Sequence, residues 1–176
     1  MTKQLLFDLE STGLLRRGST IHCIVMRDMT TAEDPIVFDY KPERAVIQGI
    51  KQLEQADELI GHNIINYDVP LIKEQFPDFA PTGKMVDTLV LSRLYYPHIA
   101  ERDYERRPVG MPQRLYGRHS LEAWGYRLKC FKGDFGKSDS NDWSTYTPEM
   151  LDYCIQDTQV TLRLYELLKR RMQDYA

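Results

Sequence analysis

Apolar and polar positions along the chain fall into short blocks whose period changes several times. Residues 4–9 (QLLFDL) form a compact apolar run of the buried-strand type, and 20–27 (TIHCIVMR) and 35–40 (PIVFDY) predict two more strands around a turn at MTTAED. Helical spacing follows over 43–56 through Ala45, Val46, Ile50 and Leu53. A short strand at 58–61 (ELIG) comes next, and HNIINYD opens a predicted helix that reaches about Phe76. KMVDTLVLSRLYY reads as a strand tip at 84–87 feeding a helix. Residues 97–117 hold three prolines and two glycines, which predicts a long surface loop. RHSLEAWGYRL at 118–128 is helical in pattern, 132–147 is polar and rich in Gly, Asp and Ser, and 148–174 is a long amphipathic helix opened by Pro148. Strands first, then strand and helix in alternation, predict an α/β sheet with an antiparallel element.

Length and composition narrow the classes. A chain of 176 residues reads as one domain over 1–176 with a real core, and 42% hydrophobic with 28% charged residues is ordinary for a soluble protein. No apolar run approaches the ~20 residues of a membrane helix. One lysine ahead of an acid at position 8 is not a signal peptide. Cys23, Cys130 and Cys154 are odd in number and lack metal-ligand spacing, so reduced thiols and a cytoplasmic location are expected. The net charge of -3 offers no global attraction to nucleic acid, which leaves a local basic patch or bound metal as the means of recognition.

The candidate chemistry lies in four acids. LLFDLE ends in Asp8 and Glu10, which strand alternation places on one face. GHNIINYD closes on Asp68, and DYCIQD sets Tyr153 four residues before Asp157, on one helical face. Taken singly each has a plainer reading: a solvated rim for Asp8 and Glu10, a helix-surface or capping acid for Asp68, the polar face of the last helix for Asp157. His62 and Asn63 alone read as caps or turn residues. Acids so far apart in sequence act together only if the fold gathers them. Such a cluster repels itself and is commonly neutralised by divalent metal, which points to metal-assisted chemistry on an anionic substrate.

In this order the motifs resemble the DEDD family of 3′→5′ exonucleases, in the subclass whose third motif carries Tyr. The first motif reads Asp8-Leu9-Glu10 followed by Ser11-Thr12-Gly13-Leu14, the second runs from Asn63 to Tyr67-Asp68, and the third from Tyr153 to Asp157. VDTLVLSRL at 86–94, HSLEAWGYRL at 119–128 and DYCIQDTQVT at 152–161 also resemble the proofreading domain of family A DNA polymerases from T-seven-like phages. The resemblance implies a ribonuclease H-like α/β fold, a mixed five-stranded sheet with one antiparallel strand, flanked by helices. It implies two divalent cations, Mg²⁺ or Mn²⁺, held by Asp8, Glu10, Asp68 and Asp157, with Tyr153 orienting the attacking water. Leu14 would wedge against the terminal base, Ser11 would approach the 3′-hydroxyl through its backbone, and Asn63 would hold a phosphate or sugar. Tyr67 is expected to pack, and Asp87 to cap the helix over 88–96.

The expected activity is release of nucleoside 5′-monophosphates from single-stranded DNA 3′ ends, in phage DNA replication or proofreading. A separate DNA polymerase is the expected partner, and the host cytoplasm the setting of a phage-encoded protein. The 19 residues given after Asp157 have no room for a polymerase palm or fingers, and the chain is expected to be either a separate exonuclease or a domain of a longer protein. Two alternatives stand: a 3′→5′ exoribonuclease of the ribonuclease D type, and a non-catalytic nucleic-acid-binding module, against which all four acids and Tyr153 argue. The segment 101–118 interleaves Arg102, Arg106, Arg107, Arg114 and Arg118 with Tyr104 and Tyr116, a composition that suits a single strand and equally a solvated loop. Trp124 is expected in the core; Trp143 is open to either role.

Overall fold

Alternation along the first strand decides which side of the sheet carries the chemistry. The computed structural model describes residues 2–13, 18–31, 33–130 and 142–174. In it β1 (Gln4–Ser11) sends Leu5, Phe7 and Leu9 to one face and Leu6, Asp8 and Glu10 to the other, as a period of two requires. The first set joins the main core, with Leu53 of α1 (Val46–Glu54) and Leu71 and Ile72 of α2 (Asp68–Gln75). On the opposite face Leu6 packs with Ile60, Val86 and Tyr165, the last from α6 (Pro148–Asp174).

The sheet has the order β3-β2-β1-β4-β5, where β2 is Ile21–Asp28, β3 is Ile36–Phe38, β4 is Glu58–Gly61 and β5 is Lys84–Asp87. Strand β2 runs antiparallel to β1 and β3, while β1, β4 and β5 pair in parallel. This is the mixed five-stranded sheet with one antiparallel strand that the resemblance implies. The β1–β2 register shifts between Glu10 and Ser11, where β2 carries His22 as an extra residue opposite the end of β1 from which the two acids emerge.

Two segments differ from the sequence reading. The stretch 97–117 is not a loop throughout: it contains α4 (Ile99–Arg106) and a single 3₁₀ turn at Gln113–Leu115. Its prolines bound the helix instead of breaking it, with Pro97 ahead of the first turn and Pro108 just past the last. Buried Asp103 then fixes the segment, accepting from the Gly117 amide at 2.9 Å and from Arg127 of α5 (Leu121–Arg127) through two hydrogen bonds. The helix expected from His62 begins only at Asp68. Asn63 takes a left-handed φ of 64°, and the 62–67 segment is a turn held by the Asp87 carboxylate, which accepts from the Asn63 and Ile65 amides. The same carboxylate accepts from Leu89 N as N-cap of α3 (Thr88–Tyr95), the capping role expected for it.

Two close approaches of backbone leave no space for a side chain. A Cβ on Gly83 would stand 2.2 Å from the Ala56 carbonyl oxygen, and one on Gly61 would stand 2.3 Å from Ile64 Cγ2. The Gly83 contact is with backbone, which cannot swing aside. Gly83→Ala is therefore expected to destabilise the fold by about 1–3 kcal/mol, as overpacking does. A urea titration checks this, and an unchanged midpoint would show that β5 can shift freely against the α1–β4 connection.

Candidate active site at the end of the central strand

Helix α6 crosses the acid-bearing face of the sheet and delivers the third group of site residues. Its Cys154 is fully buried with Cys23 and Val25 of β2, and its Thr158 hydroxyl accepts from Arg27 Nε at 3.0 Å. Those contacts fix both the rotation and the height of the helix. Tyr153 and Asp157, four residues apart, then face the end of β1, and the Tyr153 hydroxyl lowers the Asp157 carboxyl against the effect of its burial. Asp68 enters from the other side as the first residue of α2. It is 3% exposed, and the nearby Leu9 amide offsets only part of the effect of burial on its carboxyl.

The titration behaviour shows how closely the acids stand. Burial raises the Asp8 carboxyl well above the usual range, and the charge of Asp68 adds to it. Burial does the same to Glu10, helped by Asp8 and then Asp157, and to Asp157, helped by Asp8. Asp68 is pushed up to about 7, chiefly by burial. The structure thus gathers all four predicted acids into one mutually repelling group. Tyr153 is likewise driven upward by burial and then by Asp157, Glu10 and Asp8, so its phenol stays protonated and can donate but not act as a base.

One site residue escaped the sequence reading. Carboxylate oxygens of Asp8 and Glu10 lie within 4.8 Å of each other and of Cys154 Sγ, and the thiol donates to Asp8 Oδ2 at 3.5 Å. Cysteine spacing along the chain gave no hint of it. Position on α6 did: Cys154 precedes Asp157 by one helical turn, on the same face. Burial raises its thiol, with Cys23 and Asp8 adding, so it is a protonated hydrogen-bond donor. The donor set facing a cation is therefore carboxylate oxygen, which suits a hard divalent ion.

The remaining predicted residues divide. Ser11 is buried at the end of β1; its hydroxyl donates to the Gly13 carbonyl at 3.0 Å and lies 3.0 Å from the Tyr67 hydroxyl. Tyr67 also donates to Gly13 O, so beyond packing it ties α2 to the segment leaving β1. Asn63 sits at the left-handed corner of the turn before Asp68. Leu14 lies outside the described residues. Trp124 is 2% exposed, as expected, while the Trp143 ring stands edge-on to Tyr153 with centroids 6.4 Å apart.

Comparison with known proteins places these motifs in context. Residues 5–169 match the RNase_H superfamily. The chain is 33% identical to the DNA-directed DNA polymerase of Escherichia phage T7 and 32% identical to that of Enterobacteria phage T3, over 92% and 93% of its own length. It spans about a quarter (26%) of each of those proteins. Among solved structures it resembles Brucella melitensis NrnC with bound Mg²⁺ (TM-score 0.64, 17% identity, covering 98% of this chain and 75% of that one). It also resembles Escherichia coli RNase D, described as an exoribonuclease involved in structured RNA processing (TM-score 0.61, 14% identity, 98% and 40%).

The crowded acids have a measurable consequence for stability. The folded protein holds these protons more tightly than the unfolded chain, whose carboxyls titrate near 4. The Asp68 contribution is therefore full below about pH 4 and is lost as pH rises through about 7, and the raised Asp8, Glu10 and Asp157 act in the same direction. In EDTA the melting temperature is expected to fall by about 5 °C or more between roughly pH 5 and pH 8. Mg²⁺ or Mn²⁺ is expected to restore more of it at the higher pH. Equal metal stabilisation at both pH values would mean that the cation does not bind through these carboxylates.

Proposed function

The chain belongs to the RNase_H superfamily, and we propose that it is a metal-dependent 3′→5′ exonuclease that releases nucleoside 5′-monophosphates from single-stranded DNA ends. The observation that carries this reading is the convergence of Asp8 and Glu10 from β1, Asp68 from α2 and Asp157 from α6 on one partly open spot beside the protonated Tyr153. The site fits a divalent cation, because oxygens of Asp8 and Glu10 lie within 4.8 Å of each other and the repulsion that Asp68 and Asp157 add is relieved only by protons or positive charge. Asp8, Glu10, Asp68 and Asp157 would together hold two ions, Mg²⁺ or Mn²⁺. When bound, such ions polarise phosphate oxygens and lower the pKa of water.

The chain's own groups have distinct tasks in this reading. Tyr153, edge-on to Trp143 and on the same helical face as Asp157, aims its hydroxyl at the attacking water and holds it in line. Cys154, buried behind Asp8, keeps one carboxylate oxygen oriented. The Ser11–Tyr67–Gly13 bonds fix the backbone beyond Glu10, where Ser11 would meet the terminal 3′-hydroxyl, Leu14 the last base and Asn63 a phosphate or sugar.

DNA as substrate is supported by likeness to the two phage polymerases, which also supports a role in phage replication or proofreading in the host cytoplasm beside a polymerase. A second reading, 3′→5′ hydrolysis of RNA, is favoured by the likeness to RNase D. Among the described residues no helix is long and apolar enough to cross a membrane.

A time course on a 5′-labelled single strand in Mg²⁺, Mn²⁺ or EDTA tests the proposal. A metal-dependent ladder shortening from the unlabelled end is expected, faster on DNA than on RNA of the same sequence. Asp8→Ala and Asp157→Ala are expected to lose about 10³-fold or more in rate while folding normally, and Tyr153→Phe about 10- to 100-fold, as misplacement of a reacting group does. Full activity in either alanine variant would overturn the assignment.

A further inference from the structure

The arginines of the 101–118 segment do not form one strip. Arg114 pairs with Glu122 at 3.1 Å, and Tyr104 packs edge-on against Tyr116. Arg102 and Arg106, four residues apart on one face of α4, turn instead with Arg107 toward α5. There they meet Arg127 and Lys129 around a cavity of about 450 Å³, a size typical of ligand sites. Trp124, Tyr126 and Val109 complete its aromatic and apolar wall. Asp103 is the acid among the described lining residues, and both of its oxygens are taken by Arg127. The catalytic candidates are absent from the wall. Leu167, which lines it, stands ten residues beyond Asp157 on α6, about 15 Å along the helix axis.

Two observations mark this cavity as more than a solvated cleft. The Arg127 side chain is only 8% exposed and lies 4.8 Å over the Trp124 ring, yet its Nη1 has no hydrogen-bond partner among the described residues, and neither has Trp124 Nε1. Buried donors without acceptors are rare and costly, so this wall is not arranged for its own stability alone. At the rim, Arg107 and Lys129 hold left-handed φ values of 46° and 55°, which few residues other than glycine adopt. Both positions carry a cation where the backbone would favour glycine.

We propose that this cavity binds a phosphate-bearing nucleotide unit of the single strand whose 3′ end occupies the candidate active site. Phosphate oxygens meet the guanidinium and ammonium groups, and the base lies against the aromatic wall. The inference rests on the nuclease reading for the identity of the strand. It adds a second holding point, which distinguishes long strands from short ones.

The double variant Arg107→Gly/Lys129→Gly tests it, because glycine accepts both backbone conformations and the fold is preserved. Binding of a labelled twelve-nucleotide deoxy strand is followed by anisotropy in EDTA, where no turnover occurs. Affinity is expected to fall about tenfold at low salt, and the slope of log affinity against log salt to shrink by about 1.4, at roughly 0.7 for each phosphate contact on a single strand. Arg106→Gln, on an exposed helical position, should lose about half of that slope. Hydrolysis of a dinucleotide in Mg²⁺, too short to span the two sites, is expected to stay unchanged in both variants. If strand binding is untouched but calorimetric binding of free deoxyadenosine 5′-monophosphate is lost, the phosphate chemistry holds and the free product is its source. If neither changes, or if dinucleotide hydrolysis falls as much as strand binding, the proposal is overturned. Normal strand-length dependence of binding in a chain that never shortens DNA would sink the nuclease reading and leave the cavity standing.

Discussion

Repulsion among carboxylates at the end of β1 is the constraint around which this protein is arranged. Burial and like charge both raise Asp8, Glu10 and Asp157, and burial pushes Asp68 up to about 7. No local preference of the chain would assemble such a group. It exists because separate elements are each locked by contacts that do not involve the acids: Leu5, Phe7 and Leu9 under β1, the Asp87 carboxylate beneath the turn before α2, and the Arg27–Thr158 bond beside α6. The apolar core supplies the free energy that holds the charges together, and cations or protons supply the relief.

The division of labour between the sheet's faces follows from the same arrangement. One face is nearly all hydrocarbon and packs on α1 and α2. The other is apolar only toward the start of β1, where Leu6 meets Ile60, Val86 and Tyr165, and turns polar as the strand nears its end at Ser11. A single helix, α6, spans both regions, with Leu164 and Leu168 in its own packed cluster and Tyr153 and Asp157 at the acids. The basic cavity lies off the same helix farther along, so one rigid rod sets the spacing between the two sites.

Most of this was legible in the sequence where the signal is local. The strand over 84–87 and the helix over 148–174 match their observed bounds because a short apolar pair closed by a helix-capping Asp and a proline-started amphipathic run have few alternatives. The four acids and Tyr153 were legible through their motif order. What failed depended on contacts distant in sequence. Prolines at 97 and 108 look like loop markers until Asp103 and Arg127, twenty-four residues apart, are seen to pin α4 between them. His62 to Tyr67 looks like the start of a helix until Asp87 withdraws two of its amides. Cys154 is silent in any cysteine count, and only the crossing of α6 over β1 brings its sulfur to Asp8.

Asp87 gathers amides from two separate segments onto one carboxylate at the tip of the sheet's edge strand. The turn leading to Asp68 and the first turn of α3 are thereby surveyed from a common benchmark, and the acid's position is triangulated from the sheet instead of from the helix surfaces around it. Solvent-facing residues such as Val90 and Leu94, 49% and 66% exposed, carry none of that burden. Sequence drift over the outer face of α3 can therefore be extensive while Asp68 stays in place, since its approach is set by Asp87 together with the core residues of α2.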